Sequence, residues 1–349
     1  MIFDVLREKA DVYLIKGPFS VTDKTALEFS DNPHDYVSGR LYWWKEGDTY
    51  VRRDGEPNPE NRGEKFDRQR LEDFINGTIT LFLSYKQFND AKYAERGATF
   101  IRTWFLDPET KMNPHLEFSQ IVPTEKSRGV GIIDMYDFYY LLDVVEALVK
   151  EGFISKKENT RLQAWFRDYI DWLEHSEQGK KEKKRPNNHG TSHCLQVVRY
   201  LLFSGQKIKA FKYLWQAKKN HIARHIEADG RQPGEEGRTK SLYYHWYNLT
   251  KIMHLCRLGS RLHLNLYGYK RRVEVALKKV LPYLEHQEGW SLEQIEPVHQ
   301  ADLLEPVYLG AQFFKLDDCN KYIKKYDELY SLFDIAGPII PPTLMREFI

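Results

Sequence analysis

Residues 161–173 read Arg161-Leu162-Gln163-Ala164-Trp165-Phe166-Arg167-Asp168-Tyr169-Ile170-Asp171-Trp172-Leu173. Leu162, Trp165, Phe166, Tyr169, Ile170 and Leu173 stand at i, i+3, i+4, i+7, i+8 and i+11. That is the spacing of one apolar helix face, whereas a half-buried strand alternates at every second residue. Similar stripes appear as Leu71, Phe74, Ile75; as Leu141, Val144, Val145, Leu148; as Leu195, Val198, Leu201, Leu202; and as Ile208, Phe211, Leu214, Trp215. Leu249, Ile252, Met253, Cys256 and then Val273, Ala276, Val280, Leu284 continue the pattern. Gly152, Gly179, Gly205, Asp229-Gly230 and Gly289 punctuate it as turn signals. The spacing predicts a mostly α chain of successive helical hairpins. No strict repeat supports a solenoid, which leaves a closed α/α toroid or an irregular bundle.

The first sixty-odd residues are different. Pro, Gly, Asp and Asn cluster around Tyr42-Trp43-Trp44 and Asp54-Gly55-Glu56-Pro57-Asn58-Pro59-Glu60, which predicts turns and loops up to about residue 66. Nothing resembling a linker follows, so residues 1–349 are expected to form one domain.

The 349 residues suffice for a large core. Aromatic residues reach 14%, including 22 Tyr and 8 Trp, an excess that serves either core packing or a carbohydrate groove. The net charge of +2 provides no global field for a polyanion and leaves only local patches, of which Lys180-Lys181-Glu182-Lys183-Lys184-Arg185 is the visible one. Cys194, Cys256 and Cys319 are odd in number and far apart, which argues against a disulfide framework or a zinc site; no metal or other cofactor is expected. No run of about eighteen apolar residues predicts a membrane span. Acidic residues interrupt Met1-Ile2-Phe3-Asp4-Val5-Leu6-Arg7-Glu8 where a signal peptide is apolar, so the sequence suits either a cytosolic protein or one whose leader has been removed.

Four stretches spend polar residues beyond what a core needs. Pro186-Asn187-Asn188-His189-Gly190-Thr191 precedes a helix, so Asn188 or Thr191 can serve as its N-cap. An amide beside an imidazole also suits a carboxylate ligand. Arg238-Thr239-Lys240-Ser241-Leu242-Tyr243-Tyr244 offers a guanidinium and a phenol on one loop-to-helix segment, although Arg238 alone reads as an ion-pair partner and Tyr244 alone as core. Asp107-Pro108 ends a helix and leads to Asn113, His115 and Gln120. Arg128-Gly129-Val130-Gly131 is a weak glycine pattern without the strand–turn–helix of a nucleotide site. No nucleophile elbow, zinc helix or P-loop appears.

Taken in order, these segments resemble the alginate lyase superfamily of α/α-toroid polysaccharide lyases, families 5 and 38. The resemblance runs from about Asp35 to about Leu284. It rests on Tyr36-Val37-Ser38, Tyr42-Trp43-Trp44, the Asp54–Glu60 stretch, Trp104-Phe105-Leu106-Asp107-Pro108, Met112-Asn113-Pro114, Gly131-Ile132-Ile133-Asp134, Asn187-Asn188-His189-Gly190-Thr191, Arg238-Thr239 and Tyr244. It implies an incomplete (α/α) toroid with an N-terminal lid, and Asn188, His189, Arg238 and Tyr244 as the catalytic set. Tyr243, one residue earlier, competes with Tyr244 for the phenol's role. The resemblance further implies substrate contacts from Tyr42, Trp43, Trp44, Asn113, His115, Gln120, Arg128, Asn187, His193 and Tyr243. His193 stands where relatives often carry Tyr.

The implied reaction is β-elimination on a uronic-acid polymer such as alginate, polymannuronate or glucuronan. Fixed donors offset the charge that grows when the C5 proton leaves. Tyr244 or His189 acts as the base, and a neighbouring cation favours the phenolate. The expected partner is an anionic polysaccharide, with neither nucleic acid nor membrane. Such an enzyme is expected to be secreted or periplasmic if a leader was removed. A glycoside hydrolase and a non-catalytic carbohydrate-binding toroid are the competing readings.

Overall fold

The computed structural model describes residues 1–122, 130–337 and 340–349, so Arg128 lies outside the described residues. They form two compact units, residues 1–180 with 331–348, and residues 181–330 with 349.

The first unit contains α1 (Ile2–Ile15), β1 (Val37–Gly39), β2 (Trp43–Glu46), β3 (Thr49–Arg52), α2 (Arg68–Phe88), α3 (Ala91–Phe105), β4 (Phe118–Ile121), α4 (Phe138–Lys150) and α5 (Lys156–His175). The α2–α3 reversal takes two residues. Asn89 ends α2 with a left-handed φ of 52°, and the Asp90 side chain accepts from Lys92 N–H at 3.2 Å to start α3. Between the paired helices Phe74 and Trp104 stack at 4.6 Å. Phe105 meets Phe138 at 5.4 Å and Trp165 at 4.8 Å, which joins α4 and α5 to the same core. The Ser155–Glu158 capping box opens α5, and its predicted stripe from Leu162 to Leu173 is buried throughout.

The N-terminal region is more ordered than expected. β1 pairs with β4 in parallel, and β2 with β3 as an antiparallel hairpin holding Trp43 opposite Arg52.

After α6 (Glu177–Lys183) the second unit is built from α7 (Asn188–Phe203), α8 (Lys207–Ala217), α9 (Ala223–His225), α10 (Pro233–Glu236), α11 (Ser241–Ser260), α12 (Arg272–Val280), α13 (Ala301–Phe314) and α14 (Asp317–Lys325). Near the C-terminus lie α15 (Asp327–Ala336) and α16 (Pro342–Met345). Helix α7 packs along both α8 and α11. Helices α7 and α11 are buried almost throughout, polar side chains included. Such groups need partners. Gln232 donates to the His245 carbonyl oxygen at 2.9 Å and accepts from Asn248 at 2.7 Å, while His254 meets Glu305 at 2.6 Å.

Two local expectations fail. Gly179 lies inside α6 rather than in a turn, and the glycine there serves a close approach, since a Cβ would stand 2.1 Å from the Leu173 carbonyl oxygen. On α8 only Leu214 of the predicted stripe is buried; Ala210, Leu214 and Ala217 form the packed face, and Ile208, Phe211 and Trp215 are exposed. Both faces of α8 carry apolar residues, and the small alanines allow the closer packing.

Trp104→Ala is expected to lower stability by about 3–5 kcal/mol, because it deletes a fully buried ring stacked on Phe74. Urea denaturation followed by circular dichroism measures it.

Candidate functional site

The site in the second unit begins where α6 hands over to α7. The α7 N-cap is Asn187, whose side chain accepts from His189 N–H at 3.2 Å, and not Asn188 or Thr191. Two glycines let this segment lie close to its neighbours. A Cβ on Gly190 would stand 2.1 Å from the Arg185 carbonyl oxygen, and one on Gly234 would stand 2.4 Å from that of Pro186. Helix α10 thereby brings Glu235 to Asn188.

Glu235 accepts from Asn188 backbone N–H at 2.6 Å with one oxygen and from Asn188 Nδ2 at 2.7 Å with the other. Burial pushes its carboxyl up to about 7, against the lowering effect of those two bonds and of the nearby charges of His189 and Arg238. Asn188 Oδ1 is buried without a hydrogen-bond partner among the described residues. The amide expected to meet a substrate carboxylate is thus already anchored to a protein carboxylate, and Nδ2 has one further hydrogen to offer.

His189 is fixed by a second buried acid. Its Nδ1 lies 2.5 Å from Glu182 Oε1, and Arg185 Nε donates to Glu182 Oε2 at 3.0 Å. A carboxylate only accepts, so Nδ1 carries the proton and Nε2 is the nitrogen left to act. Arg238 and Tyr244 flank the start of α11. The guanidinium donates to the Tyr244 phenol oxygen at 2.7 Å and stands 3.7 Å from its ring centroid. Tyr243 stacks on Tyr247 at 5.4 Å and meets Tyr244 edge-on at 5.1 Å.

Asn188 thus bonds Glu235 directly, His189 follows Asn188 on α7, and Arg238, whose charge bears on Glu235, donates to Tyr244. His193 is fully buried on α7. Thr191 Oγ1 lies 2.9 Å from His225 Nδ1. Burial, with the Arg224 charge, lowers His225 to about 4, and burial also holds His221 well below the ordinary imidazole value. Among the described residues no group of three or more His, Cys, Asp or Glu is arranged to hold a metal ion.

The remaining candidates belong to the first unit. Asn113 Nδ2 and His115 Nε2 converge on Asp35 Oδ1 at 2.7 and 2.9 Å. Burial pushes that carboxyl up, but bonds from His115, Asn113 and Ser30 outweigh it and hold Asp35 at about 2. Gln120 donates to Asp134 Oδ1 at 2.7 Å, beside Ser38, which donates to Oδ2 at 2.7 Å. Tyr42 precedes the hairpin strand carrying Trp43 and Trp44, and the guanidinium groups of Arg40 and Arg53 stand 4.8 and 5.0 Å from those two rings.

Sequence reasoning missed Glu182 and Glu235. A signal for Glu182 was present: it is the single acid inside the Lys180–Arg185 basic run. Glu235 sits in Pro233-Gly234-Glu235-Glu236-Gly237, where nothing distinguishes it from Glu236.

A sequence model of the alginate lyase family matches residues 20–290. The chain belongs to the alginate lyase family. Its membership makes it a polysaccharide lyase, with an anionic polysaccharide as substrate. The crystal structure of an alginate lyase from Bacteroides ovatus is similar at 30% identity and a TM-score of 0.85, over 99% of this chain and 92% of that one. Alginate lyase A1-III from Sphingomonas species A1 is similar in fold, at 14% identity and a TM-score of 0.56, over 90% of this chain and 88% of that one. The fold class is the expected all-α, α/α-toroid class of these lyases. No curated protein matches the sequence. Among the described residues no helix is long and apolar enough to cross a membrane.

Glu235 gives the family site a pH signature. Its carboxyl is raised in the fold, so its contribution to stability is fully present below the ordinary value of 4.5 and is lost as pH rises through about 7. Glu235→Gln is expected to remove a decline of roughly 1–3 kcal/mol across that window, whatever its overall offset. Urea unfolding at several pH values tests this; an unchanged slope in the variant refutes it.

Proposed function

We propose that this enzyme cleaves a uronic-acid polymer of the alginate type by β-elimination, with Tyr244 and Arg238 as the reacting pair. The observation that carries the reading is the 2.7 Å bond from Arg238 to the Tyr244 phenol, in a family member whose Asn188 is bonded to the Glu235 carboxyl on which the Arg238 charge bears. A guanidinium bonded to the phenol oxygen and lying over its ring stabilises negative charge there. Tyr244, as phenolate, takes the C5 proton, the C4=C5 double bond forms as the C4–O4 bond breaks, and the departing O4 takes the proton from the re-formed Tyr244 hydroxyl, which restores the phenolate. Arg238, and the Nδ2 hydrogen of Asn188 that Glu235 does not use, face the uronate carboxylate as charge builds on it. His189, held through Nδ1, presents Nε2 as base for sugars whose C5 proton points to the opposite face.

The family match runs from residue 20 to 290 and crosses the boundary between the two compact units, which supports treating the chain as one functional domain. Tyr42, Trp43, Trp44, Asn113, His115, Gln120, Arg128, Asn187 and Tyr243 remain our candidates for substrate contact, whereas His193, fully buried on α7, is set aside. A polymer too large to enter a cell supports work in the periplasm or outside the cell. Alginate is the polymer named for both structural relatives, which makes it the first to test.

Incubation with mannuronan, guluronan, mixed alginate and glucuronan is expected to produce an ultraviolet-absorbing unsaturated uronate from at least one. Saturated reducing ends instead indicate a hydrolase. Tyr244→Phe and His189→Ala should each lower turnover by about 10²-fold with the circular dichroism spectrum intact; near-normal turnover in Tyr244→Phe defeats the assignment.

Glu182→Gln keeps an acceptor near Nδ1 but removes the charge that fixes the imidazole. Its expected effect is a drop in kcat of about tenfold, with KM little changed and an altered pH profile. A loss of thermal stability with normal kcat would mark Glu182 as structural only.

A further inference from the structure

Residues 183–226 hold ten Lys and Arg and no Asp or Glu, in a chain whose net charge is only +2. Arg199 is buried, and the fold brings the end of α6 to α8 and α9. Lys183 at the end of α6 donates to the Tyr213 hydroxyl on α8 at 3.2 Å, and Arg224 donates to the Lys184 carbonyl oxygen at 3.4 Å. Helix α8 turns a second feature outward. Ile208, Phe211 and Trp215, at i, i+3 and i+7, are 78%, 40% and 57% exposed, although α8 packs on α7 through its opposite face. The Phe211 and Trp215 rings lie 22° from parallel at 6.3 Å, and Lys218 stands 4.0 Å from the Trp215 centroid. Lys207, Lys212 and Lys219 are exposed around them.

We propose that this face of α8 is a second binding surface for polyuronate, separate from the reacting cluster. Flat ring faces suit the apolar C–H faces of pyranose rings, and the flanking ammonium groups suit a carboxylate on every sugar. A surface with cations alone, or aromatics alone, would match half of that repeating pattern. The surface retains polymer near the enzyme between cleavage events. The identity of the ligand rests on the lyase reading above.

The test separates the two claims. In the Tyr244→Phe background, which preserves the polymer, the full chain is run in gels containing alginate or glucuronan. Lys207→Gln/Lys212→Gln/Lys219→Gln, all at exposed positions, and separately Trp215→Ala, should each weaken retention by about tenfold, and added salt should do the same to the parent. With Tyr244 restored, these variants should raise KM several-fold on polymer and leave kcat/KM on short uronate oligomers unchanged. Unchanged retention in the triple variant overturns the surface. So does a stronger effect on binding to anionic phospholipid vesicles or single-stranded DNA than on binding to polyuronate. Retention that depends on α8, in a protein that releases no unsaturated product, would sink the lyase chemistry and leave the surface standing.

Discussion

A single buried carboxylate, Glu235, sets the geometry of the site. Both its oxygens are taken by N–H groups of Asn188, at the first residue of α7. Burying that charge is costly. It is offset by the two donors, by the positive end of the α7 dipole and by the charges of His189 and Arg238. The raised carboxyl, at about 7, records that the offset is incomplete. Gly190 and Gly234 are part of the same constraint, because a side chain at either would push apart the backbones that bring the carboxylate to α7.

Two buried acids beside the proposed site for an anionic sugar look counterproductive until their oxygens are followed. Those of Glu182 go to His189 and Arg185, and those of Glu235 to Asn188. Each acid turns its lone pairs toward the residue it holds and so fixes that residue before substrate arrives. The Tyr244 phenol receives the guanidinium instead. Negative charge thus serves orientation, and positive charge meets the phenol proposed to react, as electrostatic preorganisation requires.

The helical core was legible because its signal is periodic. The stripe from Leu162 to Leu173 is buried residue for residue. The strands were not legible, since segments of three or four residues are too short for alternation to show. On α8, periodicity could not rank two apolar faces, and packing chose the one with alanines. The pairing of Arg238 with Tyr244 was indicated by their spacing and the resemblance together. Glu182 and Glu235 were hidden because an acid's role is set by the partner it reaches in space, and sequence distance says little about that. The α7 cap shows the same limit at short range: Asn187 and Asn188 have equal capping chemistry, and Glu235 claims the second.

Net charge concealed the feature that the fold reveals. Outside residues 183–226 the chain carries 42 Lys and Arg against 50 Asp and Glu, so its near-neutral total is the cancellation of a basic segment and an acidic remainder. At ordinary ionic strength charges interact over about 10 Å, so a polyanion responds to the local sign and not to the sum. The basic segment includes the start of α7, with Asn188 and His189, as well as the outer face of α8. That basic stretch also supplies Asn188 and His189, two of the four side chains proposed to react. An evenly distributed +2 would give the polymer no preferred place to arrive.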